Sequence, residues 1–268
     1  MVEIKPTLDE LKHLAKLGFA LESETGEGEE SRLVLRDLQD SKKQPLYVDF
    51  TSGAVIHRLK HGLSKNQPFS RALGLKGGDE PLRVIDATAG LGVDAFFLAA
   101  LGCHVRAVER SPIAFALLAD GFRRLELLLD RGKFDEGMFT QKAVDVLRVV
   151  RSHLSFERGD AAHILAELTD ASDQSQRPDV VYLDPMYPDE GRSKSALPKK
   201  GMQIFHRLIG DDGDARDIFD LALRCARKRV VVKRPLYAAP LLENPTHIFE
   251  GKTARFDMYL ARNSSKDS

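Results

Sequence analysis

The chain has 268 residues, 43% of them hydrophobic and 30% charged, so it is long enough for one large α/β domain and a smaller appendage. Lys plus Arg and Asp plus Glu number 40 each, which excludes a strongly polybasic or polyacidic protein, and any nucleic-acid surface must come from local segregation of charge. No signal-peptide pattern and no apolar run approaching the roughly 20 residues of a membrane span is present, so we expect a soluble, cytoplasmic protein with no membrane partner.

Residues 1–80 are predicted to form a small N-terminal appendage. Its predicted elements, in chain order, are a helix at Leu8–Leu17, a polar stretch at Glu22–Ser31, strand-like runs at Arg32–Leu35 and Leu46–Phe50, and a basic segment at 57–71. In that segment His57 and His61 have the i, i+4 spacing that can bind zinc from one helical face. No third ligand with matching spacing follows, so we expect no metal and a basic helix face instead.

From residue 81 onward, short β-branched runs alternate with helical patterns, which is typical of a parallel sheet covered by helices. The predicted strands are 83–88, 104–109, 154–157, 179–184 and 229–233, followed by a hairpin at 247–250 and 255–261. The predicted helices are 92–101, 112–130, 140–152, 161–169, 199–209 and 215–227. This order predicts a doubly wound, Rossmann-like α/β domain over 81–268. A closing antiparallel hairpin favours the class I methyltransferase variant over a dinucleotide dehydrogenase, by analogy of fold.

The first chemical motif is the run Asp86-Ala-Thr-Ala-Gly-Leu-Gly-Val-Asp94, in which Gly90 and Gly92 allow a tight turn between a strand and a helix. Taken alone, this turn also satisfies the dinucleotide fingerprint. Its acidic flank is informative, because Asp86 and Asp94 would repel a pyrophosphate. Asp86 suits the ammonium group of a methionine moiety, so the motif favours S-adenosylmethionine as cofactor.

Two further acidic residues follow predicted strands. Glu109, about 20 residues beyond the glycines, is positioned to accept hydrogen bonds from both ribose hydroxyls, which nicotinamide and adenosylmethionine sites share. Asp160 can accept from an adenine amino group or can cap the helix that follows, and the two roles can coexist. These residues indicate a nucleoside without specifying which one.

The third motif is Asp184-Pro185-Met186-Tyr187, which follows the fourth predicted strand at the edge where α/β sites form. It is similar to the (N/D)-P-P-(Y/F) signature of enzymes that methylate exocyclic nitrogens of bases. Asp184 and the Pro185 carbonyl can accept the two N–H groups of such an amine and direct its lone pair toward a methyl sulfonium. Tyr187 can stack on an extruded base.

In combination, these motifs resemble the ribosomal small-subunit RNA methyltransferase J family. The resemblance runs from about Tyr47 to Tyr259, over blocks at 48–58, 86–96, 182–188, 194–200 and 228–235. It implies methylation of a guanosine N2 in small-subunit ribosomal RNA, with S-adenosylmethionine as cofactor. It places cofactor contacts on Val93, Asp94, Glu109, Arg110, Asp160, Ala161 and Asp184. The sequence around Asp160 and Ala161 departs from the serine-rich pattern of the family.

Basic residues flank the predicted site in sequence and could steer RNA toward it. They are Lys60, Lys65, Arg71, Arg192, Lys194, Lys199, Lys200, Lys233 and Arg234. Three other functions remain open at this stage. A DNA or RNA adenine-N6 methyltransferase would use the same Asp-Pro-x-Tyr geometry, a nicotinamide oxidoreductase would bind a dinucleotide, and a non-catalytic module would bind RNA without transferring a methyl group.

Overall fold

The computed structural model describes residues 5–25, 31–40, 42–75, 80–186, 204–205, 207–208 and 213–262. The strands are β1 (Phe19–Thr25), β2 (Ser31–Asp37), β3 (Arg83–Asp86), β4 (His104–Glu109), β5 (Leu154–Arg158), β6 (Val180–Leu183), β7 (Arg229–Pro235), β8 (His247–Glu250) and β9 (Ala254–Leu260). The helices are α1 (Leu8–Lys16), α2 (Gly53–His61), α3 (Pro68–Leu73), α4 (Val93–Ala100), α5 (Pro112–Arg131), α6 (Gln141–His153), α7 (Ala161–Asp170) and α8 (Ala215–Cys225). Most of the predicted helix 199–209 lies outside the described residues.

The N-terminal segment is more regular than its sequence suggests. Helix α1 begins with a capping box, in which the Thr7 hydroxyl accepts from the Glu10 N–H and the Glu10 carboxylate accepts from the Thr7 N–H. Strands β1 and β2 form an antiparallel pair, so part of the predicted polar stretch is a strand. The strand-like run at 46–50 is wrong as a strand, because only a single bridge, Leu46 to Leu35, forms there.

Seven strands form one sheet in the order β5-β4-β3-β6-β7-β9-β8. Strands β3 to β7 are parallel to one another, whereas β9 lies between β7 and β8 and is antiparallel to both. The predicted parallel sheet with a closing antiparallel hairpin is therefore confirmed. The chain leaves β3 in one direction toward β4 and β5 and later returns to β6 on the other side. The carboxyl ends of β3 and β6 thus form the switch point where ligands bind in such sheets.

Alternate side chains of the strands fill two separate cores, one on each face of the sheet. Val84 and Val180 face the core that contains α4, α5 and α6, whereas Ile85 and Val181 face the core under α7 and α8. Cys103 and Cys225 are buried free thiols.

The first of these cores also contains apolar side chains from the N-terminal segment, including Leu14, Phe19 and Leu35. Strand β2 lies against α5, where the Leu33 N–H donates to the Asp120 carboxylate at 3.0 Å. The division of the chain at residue 80 stays a prediction. No helix among the described residues combines the length and apolar character that crossing a membrane requires.

Candidate active site

The loop after β3 turns sharply at the two predicted glycines. Gly90 and Gly92 have φ values of 54° and 74°, in the left-handed region that favours glycine. A Cβ on Gly92 would lie 2.3 Å from Leu118 Cδ1 and 3.2 Å from Phe50 Cζ, so both conformation and space require glycine there. Helix α4 begins directly after this turn at Val93, and its N-terminal amides open onto the carboxyl edge of the sheet.

Asp86 ends β3 and is only 1% exposed. Its carboxylate accepts from the Thr88 N–H at 3.2 Å. Burial, reinforced by the negative charge of Asp94, raises the pKa of Asp86 well above its usual range, against the lowering effect of that hydrogen bond. A cationic ligand group would therefore stabilise the charged form of this residue.

Glu109 ends β4 and is buried beside the same loop. One carboxylate oxygen accepts from the Gly90 N–H and the other from the Ser111 N–H, both at 2.7 Å. Each carboxylate oxygen has two lone-pair directions, so these bonds hold the group in place and leave it capacity to accept from a ligand. Arg110 lies on the rim, where it pairs with Asp214 at 2.6 Å.

Asp160 follows β5 and caps α7, with its carboxylate accepting from the Ala162 N–H at 2.8 Å. The helix-capping role considered for this residue is therefore confirmed. Its proposed contact with an adenine amino group stays a prediction, and both functions remain compatible because a carboxylate can accept several hydrogen bonds.

Asp184 follows β6, one strand away from Asp86. Its backbone N–H donates to the Thr88 hydroxyl at 2.6 Å, which joins the β6 edge to the loop after β3. Its carboxylate accepts from the Lys233 ammonium at 2.8 Å. The same ammonium donates to Asp94 at 2.7 Å, so Lys233 on β7 bridges a carboxylate in the first turn of α4 and one that follows β6.

The environment of Asp94 explains its charge. Burial by itself would raise the pKa of Asp94, but the Lys233 charge and hydrogen bonds from Lys233 and Tyr182 hold that pKa below its usual range. The Tyr182 hydroxyl donates to Asp94 at 2.6 Å. Burial opposes the charge on Lys233 as well, yet Asp94 and Asp184 raise its pKa above the ordinary value. The cluster is therefore ionised, with Lys233 between its two carboxylates.

These residues line one cavity of about 570 Å³ at the switch point, within the size range of small-ligand sites. The predicted site residues that line it are Asp86, Gly90, Val93, Asp94, Glu109, Arg110, Asp160, Ala161 and Asp184. Gly92 forms part of the turn before α4 but does not line the cavity, and neither does Pro185. Tyr187 lies outside the described residues, as do Arg192, Lys194, Lys199 and Lys200.

The sequence alone did not assign several lining residues to the site. They are Thr88, Met186, Phe205, Ile218, Lys233 and Thr253. The sequence suggested Lys233 only as a basic residue that could steer RNA, because its contact with Asp184 depends on the pairing of β6 with β7. Arg234 is not a surface charge, because it is 7% exposed and donates to the Ala239 carbonyl. Among the described residues, no group of three or more His, Cys, Asp or Glu could hold a metal ion.

Known proteins resemble this chain over most of its length. Residues 10–261 match the family model described as "Putative SAM-dependent methyltransferase". A ribosomal RNA small subunit methyltransferase J from Aeromonas hydrophila is 46% identical, with 86% of this chain and 84% of that protein covered. The protein of the same name from Chromobacterium violaceum is 42% identical, with 84% and 80% covered.

A solved structure agrees with these sequence matches. The crystal structure of a SAM-dependent methyltransferase from Neisseria gonorrhoeae is 32% identical, has a TM-score of 0.63, and covers 93% of this chain and 85% of its own. Both the sequence and the fold thus match over more than two thirds of each chain. The chain therefore belongs to the ribosomal RNA small subunit methyltransferase J family of S-adenosylmethionine-dependent methyltransferases.

Proposed function

We propose that this enzyme transfers a methyl group from S-adenosylmethionine to the exocyclic N2 of a guanosine in small-subunit ribosomal RNA. The observation that carries the proposal is the position of Asp184, whose carboxylate lies at the edge of the cofactor cavity and is bound by Lys233. The names of the relatives support ribosomal RNA of the small subunit as the substrate.

The residues around the first cavity fit the cofactor. Buried Asp86 would hold the ammonium group, Glu109 would accept from the ribose hydroxyls, and Asp160 would contact the adenine amino group. Gly90 and Leu91 of the glycine turn form part of the cavity wall, and the turn leads into the N-terminal amides of α4. Bound S-adenosylmethionine supplies a methyl group on a positively charged sulfur.

The chain's own contribution is to orient the amine. An exocyclic amine is a poor nucleophile because its lone pair is delocalised into the ring. The Asp184 carboxylate and the Pro185 carbonyl would accept its two N–H bonds, which directs the lone pair toward the methyl group. The Asp184 carboxylate also stabilises the positive charge that develops on the nitrogen. Tyr187 would stack on the extruded base.

Lys233 would support this orientation. Without a cation, two carboxylates that share one partner atom would repel each other and take up protons. The ammonium keeps both ionised and fixes one oxygen of Asp184. We therefore assign Lys233 as a positioning residue, which acts on the amine through Asp184.

The substrate class is tested by competition. Labelled S-adenosylmethionine is incubated with equal amounts of small-subunit ribosomal RNA, large-subunit ribosomal RNA and double-stranded DNA, and the nucleic acids are separated before counting. The proposal predicts label in small-subunit RNA alone. Asp184→Asn, which keeps the size of the side chain and removes its charge, should lower that incorporation by about 100-fold. Label in DNA would contradict the proposal and favour the adenine-N6 alternative.

A further inference from the structure

A second cavity, of about 590 Å³, adjoins the cofactor cavity. It lies between the α2–α3 segment and the turn that joins β8 to β9. Three residues line both cavities, namely Asp94, Lys233 and Thr253. A group bound in the second cavity would therefore lie directly beside the cofactor, with Asp94 and Lys233 at the junction of the two cavities. This is the relation that a methyl acceptor requires, because the reacting atoms have to approach to about 3 Å.

The lining of the second cavity suits a nucleotide. Arg58 and Lys252 supply positive charge on opposite walls, and Glu250 is the acidic residue on the rim. Phe256 provides an aromatic face that is partly exposed, and Gln67 adds an amide with both donor and acceptor atoms. Cations, a ring face and an amide are the groups that bind phosphates, stack on bases and pair with their edges.

Arg58 is held in place at this cavity. Its guanidinium lies 3.7 Å from the centre of the Phe97 ring. Burial lowers the pKa of Arg58, and the nearby Asp94 charge opposes that effect. An arginine stacked on an aromatic ring loses little further freedom when it binds a phosphate, and its planar donors match phosphate oxygens.

We propose that this second cavity, lined by Arg58, Gln67, Glu250, Lys252 and Phe256, is the binding site for the target nucleotide of the RNA, with Arg58 and Lys252 contacting its flanking phosphates. The inference rests on the proposed function, because it assigns the cavity to the RNA substrate of the same reaction. It also assigns the two cavities separately, with the cofactor in the first and the acceptor in the second.

The test compares one variant that removes and one that reverses a positive charge of the second cavity with a control that removes a positive charge elsewhere. Arg58→Gln and Lys252→Glu alter the second cavity. Arg224→Gln removes an exposed arginine at the end of α8, near the edge where β7 begins and opposite the site. For each variant we measure kcat, the KM for small-subunit ribosomal RNA at several salt concentrations, and the cofactor dissociation constant by calorimetry.

We expect Arg58→Gln and Lys252→Glu each to raise the RNA KM by about tenfold, while the cofactor dissociation constant stays within about twofold of wild type. The slope of log KM against log salt concentration should decrease by about 0.7 for each lost phosphate contact, the value for single strands. Arg224→Gln should leave both quantities unchanged. Lys252 is exposed on the turn between β8 and β9, so we expect Lys252→Glu to fold normally. This variant therefore still tests the inference if Arg58→Gln destabilises the fold.

Three outcomes would overturn the inference. If both cavity variants had the same RNA KM as Arg224→Gln, the RNA would not bind in the second cavity. If Arg58→Gln and Lys252→Glu increased the cofactor dissociation constant and left the RNA KM unchanged, the second cavity would be a cofactor site. Absence of any transfer to ribosomal RNA by the wild-type enzyme would instead refute the proposed function, and the inference with it. The first two outcomes leave the proposed function intact.

Discussion

Asp86 is a carboxyl group whose charge depends on what lies beside it. Burial and the neighbouring Asp94 raise its pKa well above the usual value, so the free protein holds a proton on Asp86 at a pH where an exposed carboxyl would be ionised. A ligand ammonium group favours the carboxylate. Binding of a cationic amino acid moiety should therefore release this proton.

The affinity for S-adenosylmethionine should consequently increase as pH rises through the pKa of Asp86. Asp86→Asn should weaken binding by about 10- to 100-fold above that pKa, because one charged hydrogen bond is lost, and should flatten the pH dependence. Asp145→Asn is the control, since Asp145 is an exposed carboxylate on α6 that does not line the cofactor cavity. Calorimetric titration at several pH values measures the cofactor affinity of each variant and its pH dependence. A pH dependence that persists in Asp86→Asn would contradict the assignment.

Lys233 leads to a second prediction at the same scale. Lys233→Met removes the cation between Asp94 and Asp184 and leaves two carboxylates together. The pKa of Asp94, which Lys233 helps to lower, should then rise. Because the proposed orientation of the amine requires ionised carboxylates, the acid limb of the kcat profile should move to higher pH, and kcat at neutral pH should fall by about 100-fold.

Lys233→Arg is the matched variant, because it keeps the positive charge and changes the geometry. It should return the acid limb toward the wild-type position even if kcat recovers only in part. A Lys233→Met enzyme with an unchanged pH profile would show that Lys233 does not control the ionisation of the cluster. A purely structural role for Lys233 would change stability without moving that profile.

The sequence predicted individual site residues unevenly. Asp86, Glu109 and Asp184 could be found because each follows a strand, and strand ends converge at one edge of a parallel sheet. Lys233 could not be paired with Asp184 in advance, because that contact depends on β6 and β7 being neighbours. The two residues are 49 positions apart in sequence, and nothing local in the sequence signals this pairing.

At the scale of elements, the junction between β3 and α4 is the most constrained. Gly92→Ala should destabilise the protein by about 2–5 kcal/mol, from left-handed strain plus the clash with Leu118. Gly102→Ala is the control, because Gly102 also has a positive φ of 94° but open space for a Cβ. Its cost should be about 1–2 kcal/mol.

Chemical denaturation of the two variants measures the difference, which reports the clash alone. Equal destabilisation of Gly92→Ala and Gly102→Ala would contradict the tight packing of the turn. Since the same turn forms the cofactor cavity, Gly92→Ala should also weaken cofactor binding, whereas Gly102→Ala should not.

The sequence predicted elements with a clear apolar pattern well. It did not predict elements whose conformation depends on pairing with another strand. The patterns predicted α5 and α6 closely because each contains a regular apolar repeat that faces a core, and β7 because its continuous apolar run is buried on both faces of the sheet. Strand β1 has mostly polar residues after Leu21, and its strand conformation comes from its antiparallel register with β2. The run at 46–50 is apolar enough for a strand, but only Leu46 finds a partner.

At the scale of the whole molecule, one edge of one sheet organises the chemistry. Two cavities meet there, and Asp94 on α4 and Lys233 on β7 lie at their junction. The protein has no net charge, so attraction of RNA has to arise from groups near this edge and not from the molecule as a whole. The account thus places the cofactor, the acceptor amine and the phosphate contacts on a single face.

The central claim is the identity of the methylated atom, and product analysis tests it most directly. Small-subunit ribosomal RNA is incubated with the enzyme and labelled S-adenosylmethionine, digested to nucleosides and resolved by chromatography. The account predicts that the label elutes as N2-methylguanosine and that Asp184→Asn reduces this peak. Label in N6-methyladenosine, or in any nucleoside methylated on a ring atom, would contradict it.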